Sequence, residues 1–119
     1  MPVAHVPPVH YAGRTSEGRA IRISLRTGRV VAVRTAVVAY PCDPFGDVGP
    51  IHVGETGRAR VNRWTGRFTF GAGDDVQRVT VRGVWRRHAL RITGTLRVVG
   101  RIATGQRCAS ATLRFRARR

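Results

Sequence analysis

The sequence predicts an all-β fold, an antiparallel β-sandwich or small barrel of about eight or nine strands. Apolar and polar residues alternate with a period of two along most of the chain. No stretch longer than about ten residues carries the i, i+3, i+4, i+7 apolar spacing of an amphipathic helix. Turn-forming residues, above all glycine, proline, aspartate and the pair Thr-Gly, punctuate the alternating runs at the spacing of roughly 8 to 12 residues seen in sandwiches. With 119 residues, the chain suits a single domain over residues 11–119, preceded by an extended proline-rich arm over residues 1–10.

The first alternating run places Ile21, Ile23 and Leu25 inward and Arg22, Ser24 and Arg26 outward. Thr27-Gly28 then turns the chain as a hairpin into residues 30–40. Residues 41–57 hold three of the six prolines and read as a long connection containing a short strand, Ile51-His52-Val53. A second hairpin follows, with residues 58–63, the turn Trp64-Thr65-Gly66, and residues 67–71. The last three strands form a meander. Val79, Val81, Gly83 and Trp85 face inward in the first, Leu90, Ile92, Gly94, Leu96 and Val98 in the second, and Ala111, Leu113, Phe115 and Ala117 in the third.

The polar faces of those strands are almost purely cationic. The chain has 22 arginines, no lysine and six acids, giving a formal net charge of +16. All six acids, Glu17, Asp43, Asp47, Glu55, Asp74 and Asp75, fall in expected turns or connections. Arg78, Arg82, Arg86, Arg91, Arg97, Arg114, Arg116 and Arg118 are expected to share one outer surface of the meander. A high-GC genome explains arginine in place of lysine; it leaves the scarcity of acids unexplained. Like charges directly opposed across a sheet destabilise it. Guanidinium groups pair bidentately with phosphate, sulfate and carboxylate, so these eight arginines are the expected polyanion-binding residues, with nucleic acid, an anionic polymer, a glycan or a lipid surface as candidate partners.

Cys42 and Cys108 are the only cysteines. Two thiols without a histidine pair at ligand spacing do not make a zinc site. A disulfide and two unrelated buried thiols are the two readings, and the bridge points to an oxidising compartment. Residues 1–10 show neither the basic nor the apolar region of a signal peptide, so export would mean that a signal has been removed. No apolar run approaches the roughly 18 residues needed to span a bilayer as a helix.

Catalytic patterns are absent. No Gly-x-Ser-x-Gly occurs, and paired strand-borne carboxylates of the glycosidase kind are missing. Cys42 with His52 or His88 would be a poor nucleophile and base, because a carboxylate in the adjacent position, Asp43, disfavours a thiolate. Asp74-Asp75 and the pair Asp43 and Asp47 do not match a calcium loop. The expectation is a protein that is not an enzyme, without metal or cofactor.

From Tyr11 onward the order of features resembles a loosely defined group of small secreted, disulfide-containing β-sandwich domains of unknown function from actinobacteria and similar high-GC bacteria. The residues that carry the likeness are Tyr11-Ala12-Gly13-Arg14-Thr15-Ser16-Glu17-Gly18, Cys42 after a long hairpin, Gly66-Arg67-Phe68, Val81-Arg82-Gly83-Val84-Trp85, Thr93-Gly94-Thr95-Leu96-Arg97, and Gly105-Gln106-Arg107-Cys108. The resemblance implies a Cys42–Cys108 disulfide, a secreted or surface location and no catalytic residues.

The expected function is therefore a non-catalytic exported or cell-surface binding or scaffold domain. The alternatives are a nucleic-acid-binding β-domain in the cytoplasm with reduced cysteines, and a self-assembling subunit that docks through residues 107–119 or the arm.

Overall fold

The alternating sequence becomes eleven antiparallel strands in the computed structural model, which describes residues 6–103 and 105–119. Residues 1–5, half of the expected arm, and Thr104 lie outside the described residues. The strands are β1 (Val9–Thr15), β2 (Ala20–Arg26), β3 (Arg29–Val37), β4 (Pro41–Cys42), β5 (Gly46–Asp47), β6 (Ile51–Arg60), β7 (Arg67–Gly73), β8 (Gln77–Arg86), β9 (Arg91–Arg101), β10 (Arg107–Ala109) and β11 (Leu113–Arg118). Among the described residues there is no helix.

All strands belong to one sheet. Its main run is β7-β8-β9-β11-β1-β2-β3-β6, and the upper part of β9 instead pairs with β10, which leads on to β4 and β5. First and last long strands therefore meet, with Ala12 opposite Arg118 and Thr15 opposite Phe115. The two ends of the main run, β6 and β7, share no ladder, so the sheet stays open along that seam. Phe70 packs into it: a Cβ added to Gly57 of β6 would stand 3.2 Å from the Phe70 ring.

One core lies inside this curled sheet. Tyr11, Ile21, Ile23, Val33 and Val53 from one half join Phe68, Phe70, Val79, Val81, Ile92 and Leu96 from the other. Each such large side chain contributes roughly 1.5–3 kcal/mol on leaving water. On the inner face, Phe68, Gly83, Gly94 and Phe115 stand in one cross-strand row. A Cβ at Gly83 would lie 2.7 Å from the Phe68 ring, so the glycine makes room for the aromatic beside it.

The all-β antiparallel expectation holds, and the strand boundaries differ in instructive ways. The count exceeds eight or nine because β4, β5 and β10 are only two or three residues long. Residues 51–60 form one strand rather than a short strand inside a loop. Glu55, expected in a connection, and Gly57 stand at inward positions of this strand and interrupt its apolar alternation, and pairing with β3 along its whole length supplies the order that propensity does not. Val9 and His10, assigned to the arm, already belong to β1. Leu90, expected inward, sits in the β8–β9 turn with a left-handed φ of 51° and is exposed. The hairpin at Thr27-Gly28 has φ values of 47° and 73°, the positive pair that a type I′ turn demands.

Cys42 and Cys108 are buried, stand opposite each other on β4 and β10, and are joined as a disulfide. The bridge spans 66 residues, and closing a loop of that length restricts the unfolded chain by about 4 kcal/mol on the chain-entropy argument. Urea unfolding with and without reductant should differ by about that amount; equal stabilities would show that the strand pairing, rather than the bridge, holds the 41–47 segment.

Candidate polyanion-binding face

The β-pleat decides where the arginines go. On β8, β9 and β11 the inward residues are Val79, Val81, Ile92, Leu96, Val98, Leu113, Phe115 and Ala117, all buried, and the intervening residues point to solvent. All eight expected arginines are exposed on these strands, and the strands are adjacent in the order β8-β9-β11. The expected common outer surface is therefore what the fold presents.

The register arranges them in rows. Arg86, Arg91 and Arg118 stand directly opposite one another across three strands. Arg82 and Arg114 flank Thr95, Arg116 lies opposite Thr93, and Arg97 lies opposite Thr80. Arg78 lies opposite Val99 at the far end of the face. The threonines are short and the arginines long, so the middle of the face is a trough floored by hydroxyls. One depression of about 370 Å³ is lined by Thr80, Arg82, Thr95, Arg97 and Thr112. A second, of about 740 Å³, shares Thr95 and adds Arg14, Ser16, Thr93, Arg114 and Arg116. A third, of about 860 Å³, shares Arg97 and continues past Arg78, Arg101 and Arg107, where Asp43, Asp74 and Asp75 also line it.

Arg14 joins the face because β1 pairs with β11, which sets it opposite Arg116. No local signal marks it, since neighbours from the two chain ends are not legible from alternation. The same outer surface continues past β1 to Arg22 and Arg34, which oppose each other on β2 and β3. The cationic character is thus densest on β8, β9 and β11 and extends around the sheet.

Seven arginine pairs stand directly opposite in the ladders: Arg14 and Arg116, Arg22 and Arg34, Arg26 and Arg29, Arg29 and Arg60, Arg86 and Arg91, Arg91 and Arg118, and Arg101 and Arg107. Acids offset little of this. The Glu17 carboxylate accepts the backbone N–H groups of Val38 and Ala39 at 2.9 and 3.1 Å. Asp47 accepts those of Tyr40 and Gly49, both at 2.8 Å, and Asp74 those of Val76 and Gln77. Among the described residues one arginine–carboxylate pair forms, Arg101 with Asp75 at 3.4 Å, and both side chains are exposed, where such pairs are weak.

Beyond the row of Arg86, Arg91 and Arg118 lies a cleft of about 420 Å³ between the turn at residues 62–66 and the turn at residues 85–89. Both tryptophans line it. Trp64 is 82% exposed, and Trp85 is half-buried with its indole Nε1–H donated to the Tyr11 hydroxyl at 2.9 Å. Trp64 stands in the turn between β6 and β7, but the hairpin expected there does not form, because β6 pairs with β3 and β7 with β8; that Trp64 and Trp85 line one cleft was not legible, because the two are 21 positions apart and meet only through tertiary pairing.

The other candidate groups have structural employment. Cys42 is bridged and has no free thiol. Asp74 and Asp47 hold turns through the amides just named. His10, on β1, hydrogen-bonds the Ser24 hydroxyl at 2.7 Å, while His52 and His88 are exposed. Among the described residues no three His, Cys, Asp or Glu side chains gather as a metal site, and no helix is long and apolar enough to cross a membrane. No protein-family model, curated protein or solved structure matches the chain.

Two outcomes follow from the electrostatics. The amides of Tyr40 and Gly49 hold the Asp47 carboxyl below its ordinary range. Its stabilising contribution is thus present above the unfolded-state pKa of about 3.9 and lost as pH falls through the lower folded value. The amide resonances of Tyr40 and Gly49 should titrate together with a midpoint below about 3.9, and a midpoint at or above that value contradicts the assignment. The opposed arginines predict that raising NaCl from about 20 to about 500 mM raises Tm by screening them; a flat or falling Tm would mean that their repulsion is not felt.

Proposed function

We propose that this protein is a non-catalytic exported or cell-surface binding or scaffold domain whose arginine-rich sheet face holds an acidic partner. The observation that carries the reading is the convergence of eight exposed arginines on three adjacent strands while three of the six acids, Glu17, Asp47 and Asp74, are engaged with backbone amides. Repulsion left uncompensated within the fold is relieved by an external anion. An extended anionic polymer suits the face better than a small ion. Arg114, Arg116 and Arg118 repeat every second residue of β11, roughly 7 Å apart, and the depressions run on into one another rather than closing into a pocket.

The Cys42–Cys108 bridge supports the exported side of this reading, because disulfides persist outside the reducing cytosol. The cytoplasmic nucleic-acid alternative is tied to reduced cysteines and loses that support. Nothing in the site's geometry calls for a reacting group, and the reading assigns none.

Binding through guanidinium groups releases counterions and is steeply dependent on salt. The protein should be retained on heparin at about 50 mM salt and released by about 500 mM. Substituting Arg114→Ser together with Arg116→Ser should lower the slope of log K against log salt by about two, one for each lost contact. Arg58→Ser with Arg60→Ser, on β6 at the other end of the sheet, should change it less. Equal effects from the two pairs would mean that the molecule binds by net charge alone and has no preferred face.

A further inference from the structure

We propose that the cleft between the two tryptophan-bearing turns is a stacking subsite for a sugar ring, and that the acidic partner is therefore an anionic polysaccharide. The proposal rests on the polyanion reading above and names its ligand class.

A tryptophan that is 82% exposed contributes little to packing, yet Trp64 is held in place. The Asn62 carboxamide oxygen accepts the backbone N–H groups of Trp64 and Thr65 at 2.8 and 2.9 Å. The Gly66 N–H is donated to the Asn62 carbonyl, and the Gly66 carbonyl accepts the Trp85 backbone N–H, both at 2.8 Å. Gly66 has a φ of +75°, and a Cβ there would stand 2.2 Å from the Trp85 carbonyl oxygen, so only glycine lets the turn dock this closely. Trp85 is fixed in turn by Tyr11. The turn that carries Trp64 and the indole of Trp85 are thus set before any ligand arrives, which lowers the entropic cost of binding.

Each indole carries a guanidinium on one face, Arg63 over Trp64 and Arg87 over Trp85, both at 4.8 Å from the ring centroid. This pairs a flat apolar surface with an adjacent oriented cation. A pyranose bearing a carboxylate or sulfate offers the matching parts: weakly positive C–H groups for the electron-rich ring face and an anion for the guanidinium. Arg86 lines the cleft and also begins the row with Arg91 and Arg118, so a chain leaving the cleft runs directly onto the cationic face.

The cleft and the trough together favour a glycan over a single-stranded nucleic acid. Single-strand binders place aromatic rings along the backbone track so that successive bases stack. Here the trough is floored by Thr80, Thr93 and Thr95, and the rings stand at its end only. Of the remaining described aromatics, Phe45 alone is exposed, in the β4–β5 turn. Threonine hydroxyls are suited to a hydroxylated chain.

The test compares three anionic probes of matched charge at about 50 mM salt: a heparin-derived oligosaccharide, inorganic polyphosphate, which has charge but no ring, and oligo-dT. Trp64→Ala removes an exposed side chain while leaving the turn's backbone hydrogen bonds intact. It should weaken oligosaccharide binding about tenfold and leave polyphosphate binding unchanged, with Trp64→Tyr restoring most of the loss. Equal weakening on both probes, no weakening on the oligosaccharide, or a larger loss on oligo-dT overturns the sugar subsite. Failure of the unsubstituted protein to bind either the oligosaccharide or polyphosphate overturns the polyanion reading itself, a result distinct from the others.

Discussion

A β-strand delivers its side chains alternately to two faces, and this chain uses that constraint to separate aliphatic from guanidinium groups almost completely. On β8, β9 and β11 the outward positions are arginine or threonine, with Val84 and Val99 among the few departures. The inward register that builds the core cannot be kept without building the cationic face as well, since a slip of one residue would exchange the two. Core and surface are therefore one decision. The threonines moderate its cost: Thr95 separates Arg82 from Arg114, and Thr80 and Thr93 face Arg97 and Arg116. Arg86, Arg91 and Arg118 have no such spacer, nor have Arg14 and Arg116, and Arg86 lines the tryptophan cleft. A run of three directly opposed arginines thus begins where the two indoles and their guanidinium partners stand.

The acids reach that face only at its far end, where Asp43, Asp74 and Asp75 line the third depression. Glu17, Asp47 and Asp74 each satisfy two backbone N–H groups in turns, a task for which a carboxylate oxygen serves as an acceptor irrespective of any arginine nearby. Their employment is local and structural. Where an acid does meet an arginine, Asp75 with Arg101, the pair is solvent-exposed at the end of the trough and leaves the row beside the cleft untouched.

How much of this was legible in the sequence depends on the range of the interaction. Period-two alternation located the meander and its eight outward arginines, because a strand's own neighbours determine which face a residue takes. Thr27-Gly28 was readable for the same reason, its positive φ values being a property of two adjacent residues. The pairing of β1 with β11 was not, since it joins the two ends of the chain, and with it went Arg14 and the hydrogen bond from Trp85 to Tyr11. Strand β6 was hidden by Glu55 and Gly57, which break the apolar pattern of its inward face, although Gly57 is accommodated beside Phe70. Leu90 was misplaced because a turn residue interrupts alternation without changing the hydrophobic pattern around it.

The site is consequently a property of the whole fold rather than of any segment. Residues 11 and 14, 62–66, 78–97 and 114–118 contribute to it, so opening the sheet between β1 and β11 would remove Arg14 from its row and release Trp85 together. The unfolded chain carries the same charge of +16 and attracts polyanions too. A ligand stabilises a protein only by the difference between its affinities for the folded and unfolded states. Charge shared by both states contributes little to that difference. What distinguishes the folded state is geometry: guanidinium groups held in rows and two indoles brought to one cleft. A polyanion that used only the charge would therefore bind this protein without favouring its fold, whereas one that used the rows and the cleft would do both.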